Sequence, residues 1–408
     1  MNYIRQRISS SRWLSRDTVL ISLSAFFADM GYQAVTAVFP LLIVIELKQP
    51  AAIYGVLLAL SYGVGSIFSM FGGRLGDRYS KKRISLIGNL LIPLMSISVL
   101  FPNIFILGAL FVFGWWARYF RTPVRRAWLV EVSSPRYRSK IFGFLHALDI
   151  GGGVIAVVYS SVMVLVGVQL RYIILVTIIP LIVSSISLAL ADTKPNGDYP
   201  LQRSIDLNKE PVAKEDKLVK NANNFLFRVL LLSATLFGFS YYALGFPIVT
   251  IAESQGSAAF GILTFGIYLG VSAVAGFFLG SIRAKRPVRT LWSLGYLLAA
   301  LSSFLIGLSY ALHYGLGLYY LGASGLGFAT GAVETFEPVL TSTLVKSKSL
   351  SSGMGWLSSS RAVGLFVSNI VMGTLFVFSQ FDSYLYAAVT AFAAAIILLT
   401  AELKTGVK

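Results

Sequence analysis

The stretch Gly73-Arg-Leu-Gly-Asp77-Arg78-Tyr-Ser-Lys81-Lys82-Arg83 lies between two long apolar runs and reads as a tight polar loop joining two helices. Six of its eleven residues are charged, and five of those are basic. Short loops rich in Lys and Arg stay on the cytoplasmic face of a membrane, so this one would fix the orientation of the whole chain. The composition around it agrees. Of 408 residues, 56% are hydrophobic and only 12% charged, and the mean hydropathy is +0.75. A soluble domain carries about 25% charged residues, so these values exclude one and imply a polytopic membrane protein. A span needs about 20 apolar residues; twelve spans with short loops fill this length.

Apolar runs predict helices near 17–47, 52–73, 84–101, 104–131, 138–168 and 171–191, then 225–252, 257–281, 289–312, 314–345, 350–379 and 383–402. Basic residues collect at alternate junctions: Arg74 to Arg83, Arg136 to Lys140, Arg283 to Arg289, Lys346 with Lys348, and Lys404 with Lys408. The intervening junctions carry few charges, which puts both termini inside. The net charge of +17 is therefore a topology signal and not the footprint of a nucleic-acid partner. The first sixteen residues hold Arg5, Arg7, Arg12 and Arg16 and read as a retained cytoplasmic tail. Cysteine is absent, so no disulfide or thiolate site is expected. The two histidines lie far apart in sequence, and there is no Walker loop to bind ATP. No metal and no cofactor is expected.

The stretch 193–224 breaks the apolar pattern with mixed charges and Pro195, Pro200 and Pro211. It is too polar to enter lipid and too poor in apolar residues to build a core, so it reads as a cytoplasmic linker. The expected fold is all-α: twelve transmembrane helices in two pseudo-symmetric six-helix bundles, 1–192 and 225–408. A weak internal repeat supports the division. At an offset of 212, Gly143 meets Gly355, Ser139 meets Ser351, Arg125 meets Glu337 and Asp149 meets Arg361. Repeated helical halves with a site between them are the usual plan of secondary transporters.

The opening stretch resembles the loop signature of the major facilitator superfamily, G-x-L-x-D-R-x-G-[RK]-[RK]. Gly73, Leu75, Asp77, Arg78, Lys81 and Lys82 match it, while Ser80 stands where the second glycine is usual. The resemblance implies a central cavity lined by the first, fourth, seventh and tenth helices, often with an arginine on the fourth. It also implies a conformational latch built from Gly73, Asp77, Arg78 and Glu131 at the cytoplasmic helix ends. In the family the loop aspartate meets the N-terminus of the eleventh helix, here near Ser351-Ser352-Gly353. Family antiporters often carry a glycine-proline signature on the fifth helix. This chain has Gly151-Gly152-Gly153 without the proline, so that motif does not support antiport, and the run more simply allows close helix packing.

Ionisable groups at mid-membrane cost several kcal/mol unless paired or wetted, so each is a candidate. Asp29 lies near the middle of the first helix and Arg118 at similar depth on the fourth. Arg121 and Arg125 follow at i+3 and i+7, on the same helical face. Such a face must meet water, carboxylates or an anionic ligand; Asp29, Glu131, Glu334 and Glu337 are possible partners, and a purely structural ion-pair gate is the alternative. By position, the family's arginine is most like Arg118. His146 and Asp149 share a face of the fifth helix and suit a proton relay, unless His146 is simply satisfied by a neighbouring hydroxyl or carbonyl. Arg361, at matching depth on the eleventh, would face Asp149. Glu334 and Glu337 lie one turn apart before Pro338, and two such carboxylates repel when both are ionised. Either could carry a proton. Tyr32, Gln33, Tyr241 and Tyr242 could contact a ligand, although aromatics in such helices commonly serve packing.

Together these features point to a secondary active transporter at the plasma membrane, moving a small organic solute by alternating access, with protons as the coupling partner and export as the direction. Uptake of an organic anion, or a non-transporting receptor of the same fold, is the alternative. An enzyme is not expected, because no nucleophile–base constellation is visible. A monomer is expected.

Overall fold

A computed structural model describes residues 14–132, 138–192, 217–240, 245–281, 286–345 and 350–405. All regular structure among them is helical. The first six spans are α1 (Arg16–Glu46), α2 (51–78), α3 (Lys81–Leu100), α4 (Ile104–Glu131), α5 (Arg138–Leu165) and α6 (Leu170–Leu190). The seventh is described in two pieces, α7a (Lys217–Ser240) and α7b (Gly245–Ser254). Then come α8 (Ala258–Ser281), α9 (Pro287–Ala311), α10 (Leu316–Leu344), α11 (Leu350–Phe378) and α12 (Gln380–Thr405). Eleven of these spans are long and apolar enough to cross a membrane. The twelfth, α10, has 29 residues, about 43 Å of helix, against a hydrocarbon core of about 30 Å. Its lower hydropathy comes from glycine, threonine and two glutamates, which is what a helix turned toward a wet interior looks like.

The polar stretch between α2 and α3 is shorter than its sequence suggests. Helix α2 runs through Gly73 to Arg78, and α3 starts at Lys81, so only Tyr79 and Ser80 connect them. Ser80 is the N-cap of α3, its hydroxyl accepting the Arg83 backbone N–H at 3.5 Å. A serine here caps the helix that follows, where a glycine could only supply backbone freedom. In the segment expected as a linker, 193–216 lies outside the described residues. Helix α7a begins at Lys217, eight residues earlier than the apolar pattern indicates, because its first turns are polar.

The chain forms two compact units. One holds the described residues of Met1–Gln33, Ile67–Ala156 and Leu175–Glu215; the other holds those of Ala34–Ser66, Val157–Ile174 and Asp216–Lys408. Helices α1, α2, α5 and α6 thus each contribute one part to each unit.

In the first unit, Ile21, Ala25, Trp128, Leu129, Ile141, Leu145 and Leu188 form an apolar core. Polar glue crosses it. The Asn89 side-chain amide donates to the hydroxyls of Ser184 (3.1 Å) and Ser185 (2.8 Å), and Ser184 donates to the Ser24 carbonyl at 2.6 Å. This joins α3, α6 and α1. Gly152 of α5 lets α1 approach, since a Cβ there would collide with the Phe26 carbonyl oxygen. Replacing Asn89 with alanine is expected to lower stability by about 1 kcal/mol, near the range of inter-helix hydrogen bonds in membranes. Thermal unfolding of the purified protein checks it.

In the second unit α8 packs along α10, α7a lies against α11 and α12, and α9 packs on α12 and α10. The first half of α2 packs on α11. The joint there is backbone on backbone: a Cβ on Gly55 would collide with the Asn369 carbonyl oxygen and lie 2.9 Å from the Gly373 Cα. Tyr54 stacks edge-on against Phe246 of α7b at 5.5 Å. Among the described residues, three segments are π-helical: Leu41–Glu46 at the end of α1, Leu60–Val64 within α2, and Leu291–Leu297 within α9.

Candidate functional site

Among the described residues, each unit gathers a cluster of buried and half-buried charged side chains within its helices. In the first unit Asp29 and Tyr32 are three residues apart on α1 and share a face. The Tyr32 hydroxyl donates to the Asp29 carboxylate. The same hydroxyl accepts from Arg118 Nη2 of α4 at 3.2 Å. Tyr32 therefore stands between a carboxylate and a guanidinium. The Arg118 guanidinium also lies over three rings: Tyr32 at 4.5 Å, Trp115 at 4.8 Å and Tyr119 at 5.6 Å from their centroids. Stacking of this kind suits arginine, whose delocalised charge is weakly hydrated.

One turn on, Arg121 is 1% exposed. Its Nε and Nη1 are buried with no hydrogen-bond partner among the described residues. Arg125, also buried, has Nη2 at 3.7 Å from Asp149 Oδ1 of α5. Asp29 feels Asp149, Arg118 and Arg125 electrostatically. Among the described residues, three guanidinium groups thus share two carboxylates, Asp29 and Asp149, and the ionised cluster carries one surplus positive charge.

The second unit reverses the sign. Arg361 of α11 bridges two carboxylates of α10, with Nη1 on Glu334 and Nη2 on Glu337. The Tyr296 hydroxyl of α9 donates to the other oxygen of Glu337, Oε1, at 2.7 Å. The side chain of Glu337 is fully buried, whereas that of Glu334 is 55% exposed. One arginine serves two carboxylates, so the ionised cluster carries one surplus negative charge. Pro338 sits within α10 directly after Glu337. It lacks an N–H and leaves the Glu334 carbonyl without its helical donor.

The structure thus joins Asp29, Tyr32 and Arg118, places Arg125 on Asp149, and gathers Glu334, Glu337 and Arg361. Asp149 and Arg361 each find a counter-charge within their own unit. Gln33 is half-buried on α1, one residue past Tyr32 and so about 100° around the helix. Glu131, at the end of α4, pairs with Lys81 at the start of α3. Arg78 is exposed, and a side chain at Gly73 would meet nothing within 4 Å. Tyr241 and Tyr242 lie outside the described residues, as do the side chains of Asp77 and His146.

Three participants are not singled out by sequence pattern: Trp115, Tyr119 and Tyr296. For the first two, the spacing Trp-x-x-Arg-Tyr is a usable signal, because i−3 and i+1 are four residues apart and share one face beside the arginine. Nothing marks Tyr296 among the twenty tyrosines of the chain.

A family model described as Major Facilitator Superfamily matches residues 21–369. No curated protein matches the chain in sequence. Solved structures do match its fold. A peptide transporter POT, solved as a point mutant, superposes with a TM-score of 0.76 at 14% identity, covering 98% of each chain. A POT family transporter in complex with a thioalcohol-conjugated peptide gives 0.75 at 14% identity over 96% of each chain. The nucleoside transporter NupG, also solved as a point mutant, gives 0.72 at 13% identity, covering 94% of this chain and 99% of its own.

Proposed function

This chain belongs to the major facilitator superfamily, and from that premise we propose that it is a proton-coupled carrier that exports a small, partly hydrophobic organic solute by alternating access. As a family member it is a multi-pass membrane protein and a secondary transporter, not an enzyme. The rest is our reading. It has two six-span halves joined by the segment 193–224, sits as a monomer in the plasma membrane, and keeps both termini cytoplasmic, as the basic junctions favour.

One observation carries the coupling: Arg361 holds two glutamates, one sealed and one open. A single arginine neutralises only one carboxylate. The second is free to take either a proton or the cationic or polar end of a solute. If the two compete, inward proton flow drives the solute outward. Tyr119, half-buried beside the Arg118 guanidinium, would offer an aromatic face to the apolar part of the cargo. His146 with Asp149 would relay protons, and Gln33, Tyr241 and Tyr242 would contact the cargo. Asp77, Arg78 and Glu131 would latch the cytoplasmic side.

A second reading, uptake of an organic anion, draws on Arg121, whose buried guanidinium has no ion pair among the described residues. Everted vesicles carrying the overproduced protein separate the two. Export by exchange predicts that adding solute collapses an imposed pH gradient, acid inside, and that Glu334→Gln lowers this effect at least tenfold. Anion uptake predicts loss on Arg121→Gln with Glu334→Gln retaining flux. No solute-dependent proton movement in either variant or in the parent would leave a receptor.

A further inference from the structure

We propose that Tyr296 is a positioning residue for proton coupling: the widened turn of α9 holds its hydroxyl on Glu337, so that this carboxylate changes protonation without leaving its place. The inference rests on Glu337 being part of the exchanging acid pair.

The geometry is specific. Glu337 Oε1 takes the Tyr296 hydroxyl at 2.7 Å, while Oε2 takes Arg361. Two different donors thus hold the two oxygens of one fully buried carboxylate. The groups that bear on Glu337 are Arg361 from α11, Tyr296 from α9 and Glu334 from its own helix. From α8, Tyr268 is bonded to Thr330, two turns earlier on α10, at 3.1 Å. Tyr296 is itself fully buried.

Three features fix the ring. It lies against Phe237 of α7a, with centroids 5.0 Å apart and planes at 31°. At the preceding residue, Gly295, a Cβ would come within 2.9 Å of Val333 Cγ2, so α9 and α10 are in close approach there. The backbone from Leu291 to Leu297 is π-helical, an irregularity found mostly as single turns and often at functional sites. The same turn carries Trp292, whose indole N–H donates to Glu402 at 2.6 Å. The widened turn therefore anchors to α12 at one end and to the buried acid of α10 at the other.

A phenol suits this place because it can donate or accept. To the carboxylate it donates. When a proton arrives on Oε1, the new carboxyl O–H donates and the phenol oxygen accepts. No rotamer need change: Oε2, now the carbonyl oxygen, still accepts from Arg361, whose charge is left to Glu334. The bond to the ionised form is charge-assisted and so the stronger of the two. Removing the hydroxyl should therefore change the balance between the two forms.

The test reads the carboxyl group directly. Infrared difference spectra of the purified full chain, in lipid without solute, are recorded over a pH series. Glu337→Gln identifies the carboxyl C=O band of Glu337. Tyr296→Phe is expected to move that band in frequency and to displace its midpoint by about one pH unit. Gly295→Ala keeps the hydroxyl but pushes α9 from α10, and should shift the midpoint in the same direction by less. Tyr54→Phe removes a buried hydroxyl with no hydrogen-bond partner among the described residues and should leave it unmoved. If Glu337→Gln removes no titrating band, the coupling reading of Glu337 falls. If the Glu337 band titrates normally yet stays in place in both the Tyr296 and Gly295 variants, the positioning role is overturned.

Discussion

Arg361→Gln is expected to reduce coupled transport by at least about a hundredfold and to lower the thermal midpoint of the purified protein by several degrees. The arginine is the only cation bonded to Glu334 and Glu337 among the described residues. Removing one partner of a buried pair costs about 3–5 kcal/mol, because the other charge remains desolvated. Glu337, with no exposed side-chain surface, cannot recover that loss from water. The second substitution is informative. In Arg361→Gln with Glu337→Gln, the sealed charge is gone and most of the midpoint should return, while coupling should not. Thermal unfolding and proton flux in liposomes read the two effects separately. Unimpaired flux in Arg361→Gln would remove this arginine from the coupling scheme.

Gly55→Leu should act by a different route. No side chain fits at Gly55 while the Asn369 carbonyl oxygen stands against its Cβ position. The arrangement described here, with the first half of α2 seated on α11, cannot then form. Overpacking of this kind costs about 1–3 kcal/mol, enough to shift a two-state equilibrium by a factor of about 5 to 150. The chain contains no cysteine, so Ala51→Cys gives a single label site. Ala51 is buried, and its carbonyl oxygen faces Gly373. Its thiol should react slowly in the parent background. Beside Gly55→Leu it should react at least tenfold faster with a membrane-impermeant maleimide, and transport should fall by a similar factor. Unchanged labelling together with intact transport would show that this contact is no part of the cycle.

Much of the fold can be read from the chain because the bilayer leaves few choices. Apolar runs of about 20 residues must be helices, and basic junctions must stay on one side. The charged participants are legible for the same reason: a glutamate or arginine in such a run is expensive and therefore conspicuous. Their pairings are less legible. Arg125 finds Asp149, while Arg361 finds Glu334 and Glu337; helical spacing gives faces, but not which faces meet. Tyr296 is invisible in the sequence, since a tyrosine in an apolar helix is ordinary and only its partner distinguishes it. The junction at Tyr79-Ser80 is obscured by charge: Arg74, Asp77 and Arg78 look like loop residues, yet they extend α2 beyond the apolar zone. Nor does hydropathy reveal that α1, α2, α5 and α6 each divide between two compact units, because no break in the apolar pattern marks the points of division.

The widened turn at Leu291–Leu297 has an evolutionary corollary. Such a turn amounts to one residue inserted into a regular helix, and its loss would rotate everything on one side by about 100°. Relatives that keep an acid at the position of Glu337 should retain the extra residue, and those that lost the acid should be free to delete it. In structure-based alignments, a one-residue gap in the ninth span should therefore travel with a neutral side chain in the tenth.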